Sequence, residues 1–274
     1  PGFGWFEYSR YRPEFARGDW GNAWLDWYGN LECTPPIPGY PLGRIYYGVN
    51  GSASLNPEIV ALLNAQGAQG PTLGVDTGWL LIKHVDEVIC FIPSGRTDRP
   101  WKILVVDPSA MLALAEKWLN EGWGDLPMLE GYEKEMSVKS FLNNTALVNH
   151  NKALAAERIA PIIANLKTEF SLEDNDFIHV PAWFDKNGKS VIPNMVNSVV
   201  MNGHLIVSDP RGPHVEGRDL MQDHLTGLLA DLPVKVHFVN DGQYHIWSGN
   251  IHCATNTCRE GYEKPWWELL VPGQ

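Results

Sequence analysis

Cysteine is scarce in this 274-residue chain, and its four copies, Cys33, Cys90, Cys253 and Cys258, are not spaced like the paired thiols of a structural zinc site. Four are also too few for a disulfide scaffold to stand in for a core. Two pairings are open to them: a bridge between Cys33 and Cys90, each of which ends a strand-like segment, or a local one between Cys253 and Cys258. Long apolar runs are lacking too. None reaches the ~18 residues of a membrane span, and no charged-then-apolar leader opens the chain. It opens on Pro1 rather than Met, from which we expect further sequence upstream. Positive charge is in short supply, with 21 Lys and Arg against 32 Asp and Glu and a formal net charge of −11. That balance repels a phosphate backbone, so neither nucleic acid nor membrane is expected as a partner, whereas a cationic ligand suits it.

What is present is ample apolar material, 44% of residues, arranged in a recurring order. Residues 1–26, rich in Trp, Tyr, Gly and Arg, read as an irregular segment with one strand at most. Tyr28 to Thr34 and Arg44 to Val49 then read as strands. A helix capped by Asn56 with Pro57 in its first turn ends at Gly67, and Thr72 to Val75 is a short strand. The order repeats with strands Leu80 to Phe91 and Lys102 to Val106, and a helix capped by Asp107 and stopped at Gly122. After an inserted helical layer from Ser137 to Phe170, broken or kinked at Pro161, comes the strand Phe177 to Val180. A third copy pairs Val196 to Met201 with His204 to Ser208 around Asn202-Gly203, a dipeptide suited to the left-handed hairpin turn. A helix at Arg218 to Leu229 and the strand Val234 to Val239 complete it. Tyr244 to Trp247 and Asn250 to Thr255 read as strands that begin a fourth copy. The expected fold class is α/β, built from strand–strand–helix–strand modules, with a single mixed sheet as the alternative.

Two segments carry chemistry. Read as a strand, Leu80 to Phe91 places His84 and Asp86 on one face beside Ile82 and Val88. Asn250 to Thr255 places Cys253 with Ile251 and Thr255 and turns His252 away, as a structural residue. Cys, His and Asp drawn together from distant segments are the parts of an activated thiol. A papain-like arrangement is disfavoured by order, because its histidine is expected after the cysteine and residues 254–274 contain none.

Taken together, Gly29-Asn30-Leu31-Glu32 before Pro35-Pro36, Pro41-Leu42-Gly43-Arg44-Ile45, His84-Val85-Asp86-Glu87, Pro193-Asn194-Met195-Val196-Asn197, Gly212-Pro213 and His252-Cys253-Ala254-Thr255-Asn256 resemble the catalytic domain of the protein-arginine deiminases, in family order. Trp266-Trp267 and Pro272 fit as well. The resemblance implies the pentein fold, a five-module α/β propeller of ββαβ units, with residues 1–274 as one catalytic domain whose N-terminal part is missing or lies on a companion chain. It implies hydrolysis of peptidyl-arginine to peptidyl-citrulline and ammonia. In that scheme Cys253 is the nucleophile, His84 the general acid/base and Asp86 a carboxylate gripping the guanidinium. It also implies calcium, with Glu32 and the carbonyls of Tyr28 and Leu31 among its ligands and further ligands upstream.

There are two departures from the family pattern. A Trp-x-x-Asp segment carrying the second guanidinium carboxylate is expected upstream of the Gly29 motif and is not found; Asp26 behind Trp24 aligns elsewhere. Trp247 stands where animal members carry Arg before the nucleophile, a neutral ring at the mouth of the substrate site. The alternatives are a deiminase of free arginine or agmatine, an amidinotransferase, or an inactive pentein that binds arginine-bearing proteins. Asn50-Gly51-Ser52 and Asn143-Asn144-Thr145 are glycosylation sequons that favour a secreted glycoprotein, although animal deiminases of this type are cytoplasmic.

Overall fold

The computed structural model describes residues 24–258, 260–261, 263–265 and 268. The expected irregular segment before Trp24 lies outside these residues, as do Trp266, Trp267 and Pro272. Three modules of one design follow each other. The first comprises β1 (Leu31–Cys33), β2 (Ile45–Val49), α1 (Pro57–Ala65) and β3 (Leu73–Asp76). β2 is the centre of its sheet, antiparallel to β1 and parallel to β3. The second places β5 (Trp101–Asp107) between β4 (Ile89–Pro93), antiparallel, and β6 (Phe177–Pro181), parallel, with α2 (Pro108–Asn120) in the crossover. The third places β8 (His204–Ser208) between β7 (Val199–Met201) and β9 (Lys235–Val239), with α6 (Leu220–Leu228) crossing over, in the same pattern.

Local chemistry explains most boundaries. Asn56 Oδ1 accepts the Glu58 N–H at 2.9 Å and Asp107 Oδ1 accepts the Ser109 N–H at 2.7 Å, each with a proline in the first turn. At the β7–β8 turn, Asn202 (φ 50°) and Gly203 (φ 80°) both adopt the left-handed region that the two-residue hairpin requires. The inserted layer is α3 (Val138–Asn143), α4 (Thr145–Leu154) and α5 (Ala160–Phe170). The expected break at Pro161 takes the form of a π turn over Ala155–Ile159, where the Ala160 N–H reaches back to the Ala155 carbonyl. Proline offers no N–H to the preceding turn, and the wider turn absorbs the mismatch without ending the helix.

One apolar cluster joins the modules. Ile103, Leu104, Val105 and Val106 of the central strand β5 have no exposed surface, and Met111, Leu205, Val207 and Met221 share their core. Ile45, Tyr47 and Leu55 form a small separate core in the first module. The segment from Val191 to Val199 is buried throughout although most of it is irregular. Its polar groups bond internally and to its neighbours, as buried backbone must: Asn194 Oδ1 accepts the Val196 N–H at 3.0 Å and Ser198 Oγ donates to the Val196 carbonyl at 3.2 Å. Among the described residues no helix is long and apolar enough to cross a membrane.

Four expectations are corrected. Tyr28–Asn30 is a 3-10 turn, so the first strand begins at Leu31. Leu80 to Phe91 is not one strand: Lys83 has φ 67°, Val85–Glu87 forms a 3-10 turn, and the strand starts at Ile89. Tyr244 to Trp247 and Asn250 to Thr255 are helical, as α7 (Gly242–Ile246) and a 3-10 turn at His252–Ala254. Strand-prone aromatics are overruled here by Asp241, whose carbonyl accepts the N–H groups of Tyr244 and His245. Finally, all four cysteines are free thiols. The Cys33 sulfur takes a hydrogen bond from Gln69 Nε2 at 3.0 Å, and Cys90 packs against Ser198.

Candidate functional site

Three segments meet at one carboxylate. The 3-10 turn after His84 brings Asp86 to 3% exposure. Its Oδ2 accepts from Cys253 Sγ at 3.5 Å and lies 2.9 Å from His252 Nδ1, while its Oδ1 is buried with no hydrogen-bond partner. Such an orphaned oxygen costs ~1–3 kcal/mol or more when charged, so its position calls for a reason. His84, 4% exposed, belongs to the same turn: its N–H donates to Glu87 Oε1 at 3.2 Å. A Cβ on Gly29 would lie 2.8 Å from His84 Nδ1 and 3.0 Å from Asp86 Oδ2, so only glycine lets the first module approach the pair this closely. Trp27 packs edge-on over His84, with ring centroids 6.4 Å apart.

Side-chain amides hold the segments together. Asn30 is fully buried; its Nδ2 donates to the Leu25 and Gly48 carbonyls, and its Oδ1 accepts from the Gly48 N–H (2.8 Å) and the Val85 N–H (3.1 Å). Asn197, from the buried irregular segment, grips the turn that carries Cys253: its Oδ1 accepts from the His252 and Cys253 N–H groups, and its Nδ2 donates to Cys253 Sγ at 3.3 Å. Asn250 accepts from the Asn194 N–H and donates to Asp241, and Asn194 in turn donates to the Glu87 carbonyl at 2.8 Å.

The electrostatics follow from this crowding. Desolvation, and then the Asp86 carboxylate, push the Cys253 thiol above its ordinary value. The residue as a whole is exposed, so water screens part of the effect. Burial and then Asp86 raise Glu87 well above the usual carboxylate range. Burial opposes charge on His252, but the bond to Asp86 and the field of Glu32 outweigh it and raise the imidazole. In the resting site the thiol is therefore held as S–H.

Cys253 and Asp86, expected from sequence, are in contact, and His84 stands beside Asp86 across Gly29. The expectation that His252 turns away is corrected: on a 3-10 turn the side chains do not alternate, and its ring reaches into the site, with Nε2 3.4 Å from Glu32 Oε1. Trp247, the residue after α7, is 83% exposed. Of the expected calcium cluster, Glu32 is the one side-chain donor, and the Tyr28 carbonyl accepts the Leu31 N–H. Calcium takes about six to eight oxygens. Among the described residues no three His, Cys, Asp or Glu gather to hold a metal, so the residues present do not make a calcium site by themselves. Asn30, Asn197 and His252 were missed as site residues. The signal was their place inside the quoted motifs, two residues before Glu32, at the end of Pro193 to Asn197, and next to Cys253.

A thiol, two imidazoles and a buried carboxylate with a spare oxygen define a cysteine site disposed toward a cation. The chain belongs to the protein-arginine deiminase family, whose model matches residues 2–268. It is 33% identical to human protein-arginine deiminase type-4 over 267 residues, 91% of this chain and 40% of that protein. It is 32% identical to mouse protein-arginine deiminase type-3 over 263 residues, 90% of this chain and 39% of that protein. The chain thus spans about two fifths of the length of the curated relatives it matches. Among solved structures, the C. jejuni agmatine deiminase aligns over 82% of this chain and 53% of its own, at 13% identity and a TM-score of 0.42, a likeness too slight to define the fold.

Proposed function

We propose that the protein hydrolyses peptidyl-arginine to peptidyl-citrulline and ammonia through a covalent thiouronium on Cys253. The observation that carries this reading is the divided state of Asp86: Oδ2 engaged by Cys253 and His252, Oδ1 buried without a partner. A guanidinium stays cationic at any ordinary pH and brings five N–H donors, so it supplies both the charge and the hydrogen bond that Oδ1 lacks. Burial and then the Asp86 field hold the thiol up; a guanidinium charge beside Cys253 offsets the second of these, favouring thiolate where the substrate is bound. The thiolate attacks the guanidinium carbon, and the tetrahedral adduct expels ammonia as His84 donates a proton. Water deprotonated by His84 then attacks the thiouronium, and the C–S bond breaks to return the thiol and release neutral citrulline. Loss of charge weakens the hold of Asp86 and favours departure.

The finer elements of this reading are the pentein propeller, with residues 1–274 as part of one catalytic domain; a Trp-x-x-Asp carboxylate supplied by sequence outside this chain or by a companion; calcium held with the help of such sequence; Trp247 as a contact for residues flanking the target arginine; and secretion. Three consecutive ββαβ modules support the first of these.

The test is citrulline and ammonia release from an arginine peptide by the full-length protein. Cys253→Ala is expected to abolish it, and equal activity in the variant removes the nucleophile. A mass spectrum of the native material decides whether a companion chain is present.

A further inference from the structure

Asp86 can serve a guanidinium only if its two oxygens keep different jobs, and a carboxylate is free to turn about the bond that carries it. What stops that turn is His252. The imidazole Nδ1 lies 2.9 Å from Oδ2, a shorter contact than the thiol makes with the same oxygen at 3.5 Å. The residue is itself fixed at two points, one on its backbone and one on its ring. Its backbone N–H is held by both the carbonyl and the Oδ1 of Asn197, and its far nitrogen faces Glu32 Oε1 of β1 at 3.4 Å. The proton on Nδ1 is thereby directed at Asp86, in the way an outer carboxylate orients a histidine at other sites.

We propose that His252 is a positioning residue for the deimination reaction: it pins Asp86 Oδ2 toward the thiol and so leaves Oδ1 presented to the substrate guanidinium. The inference rests on the function proposed above and assigns His252 no proton transfer. Its work is on substrate binding. Loss of the ring frees Asp86 to swing Oδ1 toward Cys253, and the guanidinium meets a carboxylate that must be reoriented before it binds.

The experiment compares the full-length protein with His252→Ala and His252→Asn, whose amide nitrogen falls near the place of Nδ1. Two quantities are read with an N-acyl-arginine amide: KM and kcat for citrulline release, and the concentration that halves alkylation of Cys253 by iodoacetamide. His252→Ala is expected to raise KM and the half-protecting concentration about tenfold, the worth of one hydrogen bond in an equilibrium constant, with a smaller fall in kcat and an unchanged melting midpoint. His252→Asn is expected to restore most of both. Equal behaviour of the two variants, or a loss confined to kcat, overturns the inference. If the parent protein gives no citrulline yet is protected, and His252→Ala loses that protection while His252→Asn keeps it, the deiminase reading fails and the role of His252 stands. A parent that is neither active nor protected overturns both.

Discussion

Asn30 shows what a single side chain contributes. All four of its hydrogen-bonding positions are used in the interior, two as donor to carbonyls and two as acceptor from N–H groups, and the partners belong to three different segments. Asn30→Asp keeps the shape and replaces the two donors with an oxygen facing the Leu25 and Gly48 carbonyls. A loss of about 2–4 kcal/mol in unfolding free energy is expected, read from the shift in urea midpoint; a shift within error would mean that the amide is not the tie described. At this scale the sequence showed the groups proposed to react better than their supports. Cys253, His84 and Asp86 are residue types with few other reasons to stand together, whereas an asparagine becomes a strut only through where distant N–H groups point. His252 was misplaced because its direction was argued from a strand that does not form.

A strand and a 3-10 turn differ in period, and that decides who faces whom. Between Lys83 and Ile89 a period near three sets His84 against Glu87 and leaves Asp86 to face the thiol. The modular order itself was legible, because strands β2, β5 and β8 are short, largely apolar and mostly buried runs and the helix caps are local chemistry. The turn at Val85 was not, since nothing in an alternating apolar pattern announces the positive φ of Lys83. One tie between elements makes a pH prediction. Asp107 caps α2 and its Oδ2 lies 2.8 Å from Nδ1 of His179 on β6. The bond to Asp107 raises His179 against the opposing effect of burial; for Asp107, burial works upward, but the bonds to His179 and to the helix N–H groups prevail and lower it. The histidine contribution is complete below its ordinary value of 6.5 and fades as pH rises through the higher folded value. The aspartate contribution is complete above its ordinary 3.8 and fades as pH falls through the lower folded value. The gap in melting temperature between the protein and His179→Ala should therefore be widest between the ordinary aspartate and histidine values of 3.8 and 6.5 and narrow as pH rises through the raised folded value of His179. A gap that is flat with pH would remove the pair as a source of stability.

At the scale of the chain, an excess of 11 negative charges accompanies a site proposed for a cation. Long-range attraction of this kind is screened within about 10 Å at 0.1 M salt. KM for an arginine peptide is expected to rise severalfold from about 0.05 to about 0.5 M salt with kcat nearly constant. A KM that is indifferent to salt would confine recognition to the contacts at Asp86. The site is also spread widely along the chain. Gly29 and Asn30 come from the first module, His84 and Asp86 from the turn before the second, Asn197 from the edge of the third, and the sulfur from beyond β9. A ribosome would therefore finish the sheets of all three modules before Cys253 was made, and a chain stopped short of it would lack the proposed nucleophile. On the function proposed above, premature chemistry on neighbouring arginines would be closed off by the order of synthesis alone.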